Sequence, residues 1–184
     1  SETSDLVNDL SLSPRDPNLL YAAGRAGLFL LRRKGTEWVR AGELASSGQE
    51  FRSVVEDPDG RVWVTTRLDI TRVDFSKTPP VAQKFTTQQG VPAGWKNVYS
   101  VGDRVMFATE AGLRLFSEKT GRFEPDPQMG AAFADGSRAV SLVRQDSLDR
   151  IWLTGKGYHG MLTRTDGGAL QWMSSPLLRS GIDE

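Results

Sequence analysis

The sequence predicts an all-β fold: a β-propeller made of four consecutive four-stranded antiparallel blades. Three observations predict it. Four segments share one internal grammar, their large residues recur at a near-constant interval, and turn-forming residues are spread along the whole chain. The segments are NLLYAAGRAGLFLL from Asn18, GRVWVTTRLDITRV from Gly60, DRVMFATEAGLRLF from Asp103 and DRIWLTGKGYHGML from Asp149. Each opens on a polar lead-in, runs through an apolar–aromatic–apolar stretch, turns, and begins a second alternation. Tyr21, Trp63, Met106 and Trp152 are the equivalent large residues, 42, 43 and 46 positions apart. That interval is one propeller blade, since a blade is a four-stranded sheet of about 40–50 residues. The 19 glycines and nine prolines fit many tight turns.

The second repeat sets the pattern for the strands. FRSVVED is a first strand, and Pro58-Asp59-Gly60 is a hairpin turn in which Asp-Gly suits positive φ. RVWVTT is a second strand, rich in β-branched and aromatic residues. Arg67, Leu68 and Asp69 turn the chain into ITRVDF. Ser76 to Pro80 then breaks the pairing, because proline lacks the ladder donor. VAQKFTT is a polar outer strand. The other outer strands lie near Trp38, Phe123 and Trp172, and the other first strands are DLSLSP, KNVYSVG and VSLVRQD. GAAFADGSRAV, from Gly130, reads as a long connection into the fourth blade. The greater length of the last repeat is assigned to its turn, KGYHG. The blades span roughly 5–46, 47–89, 90–133 and 134–178 of a single module. The large aromatics read as core between blades, since one blade alone cannot bury its faces.

Composition narrows the function. Lys and Arg number 23, and so do Asp and Glu, so no charge excess points to nucleic acid or an anionic membrane surface. No apolar stretch approaches a membrane span, and SETSDLVNDL lacks the pattern of a signal peptide. With no cysteine there is no disulfide and no thiolate metal site. His159 is the single histidine, too few for a Ser–His–Asp arrangement or a histidine-based metal site to be argued. GRAGL and TDGGAL are glycine-bearing turns that do not join a strand to a helix, as a phosphate loop must. DPDG is too short for a calcium loop. No catalytic residue, metal or cofactor is expected.

A ligand is expected where the turns after the second strands meet the connections into the first strands. The turns carry Arg25, Arg67, Glu110, Lys156, Tyr158 and His159, and the connections carry Trp95 and Lys96. The candidate ligand-binding set is Arg25, Arg67, Trp95, Lys96, Lys156, Tyr158 and His159, because loops on a rigid scaffold carry function. Trp95 has no strand alternation to explain it, and reads either as a plug between blades or as a ligand platform.

EDPDGRVWVTTRLDITRVD, from Glu56, resembles the repeat of the two-component regulator propeller family. Val54, Asp57, Gly60, Val62, Trp63, Val64, Thr66, Ile70 and Arg72 fill its pattern, and Asp69 stands where that family has glycine. The third repeat restores the glycine as Gly112, followed by Leu113, and the fourth matches through Asp149, Ile151, Trp152 and Leu153. QQGVPAGWKNVYSV is similar to the family's inter-repeat segment. The resemblance implies an extracytoplasmic, periplasmic input domain of a bacterial sensor, whose output is a histidine kinase or diguanylate cyclase elsewhere in the polypeptide. The partner would be a small molecule, a glycan or a protein. A second resemblance, to sialidase-like repeats, rests on SPRDPNLLYAAGRAGLFLLRRKGTEW from Ser13 and TDGGALQW from Thr165. It lacks the serine that opens an Asp-box. Both families imply a propeller. Four blades either close on themselves or belong to a larger ring, in which case the two terminal faces favour self-association, with two chains making one ring.

Overall fold

The computed structural model describes residues 6–46, 48–165 and 167–175. The segment SETSD, Asp166 of TDGGAL and the last nine residues lie outside the described residues. Four antiparallel sheets follow one another along the chain, each with its strands in sequence order. The first holds β1 (Val7–Leu12), β2 (Leu19–Gly24), β3 (Gly27–Lys34) and β4 (Glu37–Ala45). The second holds β5 (Ser53–Glu56), β6 (Val62–Thr65), β7 (Ile70–Asp74) and β8 (Val81–Phe85). The third holds β9 (Lys96–Val101), β10 (Arg104–Thr109), β11 (Gly112–Ser117) and β12 (Arg122–Pro125). The fourth holds β13 (Leu142–Gln145), β14 (Ile151–Gly155), β15 (Tyr158–Arg164) and β16 (Leu170–Ser174).

Strand register confirms the repeat position by position. Tyr21, Trp63, Met106 and Trp152 pair with Ser11, Val55, Tyr99 and Arg144 of their own first strands. First strands of successive sheets touch, β1 with β5, β5 with β9 and β9 with β13, but the sheets do not close into a ring. The described residues therefore form an open propeller arc.

Each junction between blades encloses its own apolar cluster. Tyr21, Ala23 and Leu28 of the first blade meet Val54, Val62, Val64 and Val73 of the second. Val55, Trp63, Ile70 and Phe85 meet Val98, Phe107 and Phe123 of the third. Met106, Ala108 and Leu113 meet Val143, Leu153 and Leu162 of the fourth. The pleat sends alternate residues to opposite faces, so every blade has one face toward its predecessor and one toward its successor. Trp63 shows the packing, with ring centroids 5.6 Å from Phe85, 5.4 Å from Phe107 and 5.2 Å from Phe116. Burying such a ring contributes roughly 1.5–3 kcal/mol.

Polar side chains tie the exposed edge of each first strand to the blade before it. Asp9 Oδ2 accepts from the Val54 amide at 2.9 Å. Ser53 Oγ, at the equivalent position, accepts from Val98 at 2.8 Å. Asn97, next in the series, donates through Nδ2 to the Ser141 carbonyl at 3.2 Å.

One expectation about length is corrected. The turn between β14 and β15 holds Lys156 and Gly157, and Thr154 pairs with His159 just as Thr65 pairs with Ile70 and Ala108 with Leu113. The fourth repeat is longer because of the connection from β12 to β13. That connection contains a 3-10 turn (Pro127–Met129) and a single helical turn, α1 (Ala131–Ala134). Met129, Phe133 and Val140 from it fill the third junction.

Candidate functional site

One end of the arc carries the turns β2–β3, β6–β7, β10–β11 and β14–β15, together with the connections between blades. The firmest cluster of candidate residues at this end is at the second junction. Lys96 is fully buried, and its Nζ donates to the carbonyls of Arg67 and Gly94, each at 2.7 Å. Burial pulls its pKa down, while the Asp69 and Glu110 carboxylates push it up. Glu110 accepts from the Trp95 amide at 3.2 Å. Its carboxylate packs against Gly94, whose φ of 81° is what favours glycine there. Asp69 is held by the Thr66 hydroxyl at 2.8 Å and by Lys84 at 3.2 Å. The glycine of the family pattern is thus replaced by an aspartate whose side chain belongs to the turn and faces Lys96.

The structure brings Arg67, Trp95 and Lys96 together and leaves the other candidates apart. Arg67 is exposed, Trp95 is half-buried, and Lys96 lies beneath them as a tie between turn and connection. Arg25 is exposed in the first blade and lines a separate cavity of about 430 Å³ with Ser46, Gln49 and Glu50. Lys156 is exposed in the fourth-blade turn. Tyr158 is packed rather than presented: its hydroxyl donates to the Ala139 carbonyl at 2.7 Å and its ring lies 5.9 Å from those of Phe133 and Trp172. Tyr158 and His159 belong to β15, not to the turn where the sequence pattern put them. His159 occupies the register position of Leu28, Ile70 and Leu113, which places it on the outward face of the fourth blade.

The opposite end carries features the sequence reading did not identify. A cavity of about 330 Å³ at the second junction is lined by Asp59, Trp63, Asp103, Arg104, Phe116 and Glu118. A larger one, about 720 Å³, lies at the third junction among Arg104, Gln128, Gln145, Asp149 and Arg164. Both are built from residues of different blades, which no single repeat displays. The acidic DPDG turn is the only sequence signal, and its Asp57 is already engaged, accepting from the Arg61 amide and from Trp63 Nε1, each at 2.9 Å. Among the described residues no group of His, Asp and Glu has the arrangement of a metal site. No described helix is long and apolar enough to cross a membrane.

Comparison with known proteins follows the same lines. No curated protein matches the sequence. Among solved structures, virginiamycin B lyase from Staphylococcus aureus superposes with a TM-score of 0.64 at 13% identity, over 98% of this chain and 59% of that one. The extracellular domain of a hybrid two-component system from B. thetaiotaomicron gives 0.64 at 13%, over 95% and 23%. The Cps50 β-propeller domain of Myceliophteria thermophila gives 0.59 at 14%, over 96% and 62%. At these identities the likeness is one of fold, and the chain spans less than two thirds of each of these structures. Residues 46–67, which run from the first connection through β5 and β6 into Arg67, match the two component regulator propeller family. The chain therefore carries a two-component regulator propeller repeat, set within four β-propeller blades that form an open arc.

Proposed function

We propose that this propeller is a non-catalytic recognition module from the extracytoplasmic input region of a bacterial two-component-type sensor. Its ligand surface would be the turn-and-connection end around Arg67 and Trp95, with Arg25 and Lys156 on the rim. The observation that carries this reading is the family repeat at 46–67, whose last residue is itself Arg67 at the second junction. The shared fold with an extracellular domain of a two-component system supports it. The mechanism follows from the packing. Arg67 and Lys96 lie on adjacent blades joined by one buried ammonium, so a ligand bridging Arg67 and Trp95 would draw on the same contact. Such a ligand would bias the relative position of neighbouring modules only by its differential affinity for the two arrangements.

A small molecule or glycan is the expected ligand. Leu68, exposed beside Arg67, favours a protein partner as the second reading. A thermal-shift screen against metabolites, run beside a glycan array, separates them. A ligand that raises the melting temperature of the parent but not of Trp95→Ala and Arg67→Ala is the expected result. A ligand that stabilises parent and variants equally would contradict the site, and silence in both screens would favour the protein partner. The fold shared with a lyase supports a catalytic reading only as far as fold can. Turnover of any compound found in the screen would overturn the non-catalytic assignment.

A further inference from the structure

We propose that the cavity at the second junction binds a small organic cation, a protonated amine carried on an apolar body, and holds it between the second and third blades. The cavity, about 330 Å³, is at the low end of the roughly 300–1,000 Å³ that ligand pockets occupy, so its guest is small. Two turns on adjacent blades form its rim. Asp59 comes from the turn before β6 and Asp103 from the turn before β10. Aromatic rings form much of its wall. Trp63 lies 5.4 Å from Phe107 and 5.2 Å from Phe116 between ring centroids, and all three line the cavity. Trp63 and Phe107 are buried behind, whereas Val105, Leu115 and Phe116 are half-buried and present the accessible apolar surface.

The sign of the guest follows from the charges. Asp57, Asp59, Asp103 and Glu118 line the cavity, against one guanidinium, that of Arg104. Arg104 is already held, donating to the buried Asp126 at 2.7 Å and to Gln128 at 3.0 Å. Arg61 and Arg72 of the second blade both pair with Glu118. Asp57 is taken by the Arg61 amide and the Trp63 indole. Two acids remain at the rim. Asp59 has only a long contact with Arg61, at 3.9 Å. Asp103 has no ion pair among the described residues. An anion would be repelled there, and a neutral apolar guest would strip water from both carboxylates without replacing it. The ring cluster already takes one cation at contact distance: the Arg72 guanidinium lies 5.1 Å from the Trp63 and Phe116 rings and 5.6 Å from Phe85. Among the described residues no three acids converge as metal ligands must, and much of the lining is apolar, so the cation is an organic one. The site is at the opposite end of the arc from Arg67 and Trp95 and does not rest on the surface proposed there. Because Asp59 and Asp103 belong to different blades, an occupied site ties the two together.

An NMR titration of the isotope-labelled full chain tests this with four probes that separate charge from body. They are phenethylammonium, the neutral phenethyl alcohol, the anionic hydrocinnamate, and ethylammonium, which has the charge without the ring. Phenethylammonium should give saturable shifts at the amides of Asp59, Asp103 and Phe116. Each of the other three should bind at least about tenfold more weakly. The double variant Asp59→Asn, Asp103→Asn alters exposed positions, so it should keep the parent's spectrum away from the cavity. It should also bind phenethylammonium at least about tenfold more weakly than the parent does. No shift at those three amides up to about 10 mM phenethylammonium would overturn the proposal. So would equal binding of the alcohol, the carboxylate or ethylammonium, or a double variant that binds like the parent.

Discussion

At the scale of single residues, the second and fourth repeats share a bond between an aspartate and a tryptophan six positions later. Asp57 takes the indole N–H of Trp63 at 2.9 Å, and Asp146 takes that of Trp152 at 2.8 Å. Each aspartate also closes its own hairpin turn, Asp57 through the Arg61 amide and Asp146 through the Arg150 amide. Removing the acceptor leaves a buried donor unpaired, so Asp57→Ala should lower stability by about 1–3 kcal/mol in denaturant unfolding. The indole, and after it the Arg150 side chain and the Leu148 and Arg150 amides, hold Asp146 well below its ordinary 3.8. A depressed carboxyl stabilises the fold fully above its unfolded value and loses that contribution as pH falls through the folded one. Acid unfolding followed by fluorescence should therefore show less loss below pH 3.8 in Asp146→Asn than in the parent. The first pair was legible as the spacing of Asp57, Gly60 and Trp63; the second was less so, because Asp149, at φ 57°, stands where the second repeat has Gly60. The buried state of Lys96 was not, since its two carbonyl partners lie in a different blade and in the connection before it.

At the scale of elements, the strands were readable and the connections were not. Alternation and β-branched residues mark β5 to β8 to within two residues at each end, because each strand has two faces with different neighbours. The segment with α1 has no such period. It is shaped by the gap it fills, where the Phe133 ring packs 5.1 Å from that of Trp172. The same close approach dictates a glycine: a Cβ on Gly112, at φ 87°, would lie 2.2 Å from the Phe133 carbonyl. Gly157, at φ 76°, faces open space. Gly157→Ala should cost about 1–2 kcal/mol for the left-handed conformation alone. Gly112→Ala should cost more, because α1 must also move, and thermal melts of the two variants compare them. Arg72 plays a similar bridging part at the second junction. Its guanidinium lies 5.1 Å from the Trp63 and Phe116 rings and reaches Glu118 in the third blade. Arg72→Lys, which keeps the charge but loses the planar fork, should still lower the melting temperature.

At the scale of the whole molecule, the arc follows from stacking one design four times. Three junctions are formed among the described residues, and the sequence alone does not show which positions they cover, because equivalent residues look alike whether or not a neighbour is present. Only comparison of register with exposure tells Leu10 from Val54. The candidate ligand surface has the same origin: Arg67, Trp95 and Lys96 come from successive blades and meet because the sheets are stacked about an axis. That stacking is the central claim, and residue-resolved amide hydrogen exchange tests it most directly. The Val54 and Val98 amides are bonded by Asp9 and Ser53 of the preceding blade, not by their own sheet. Asp9→Ala should speed exchange at Val54 and leave Val98 protected, and Ser53→Ala should do the reverse. Unchanged exchange at both amides in both variants would contradict the propeller arrangement.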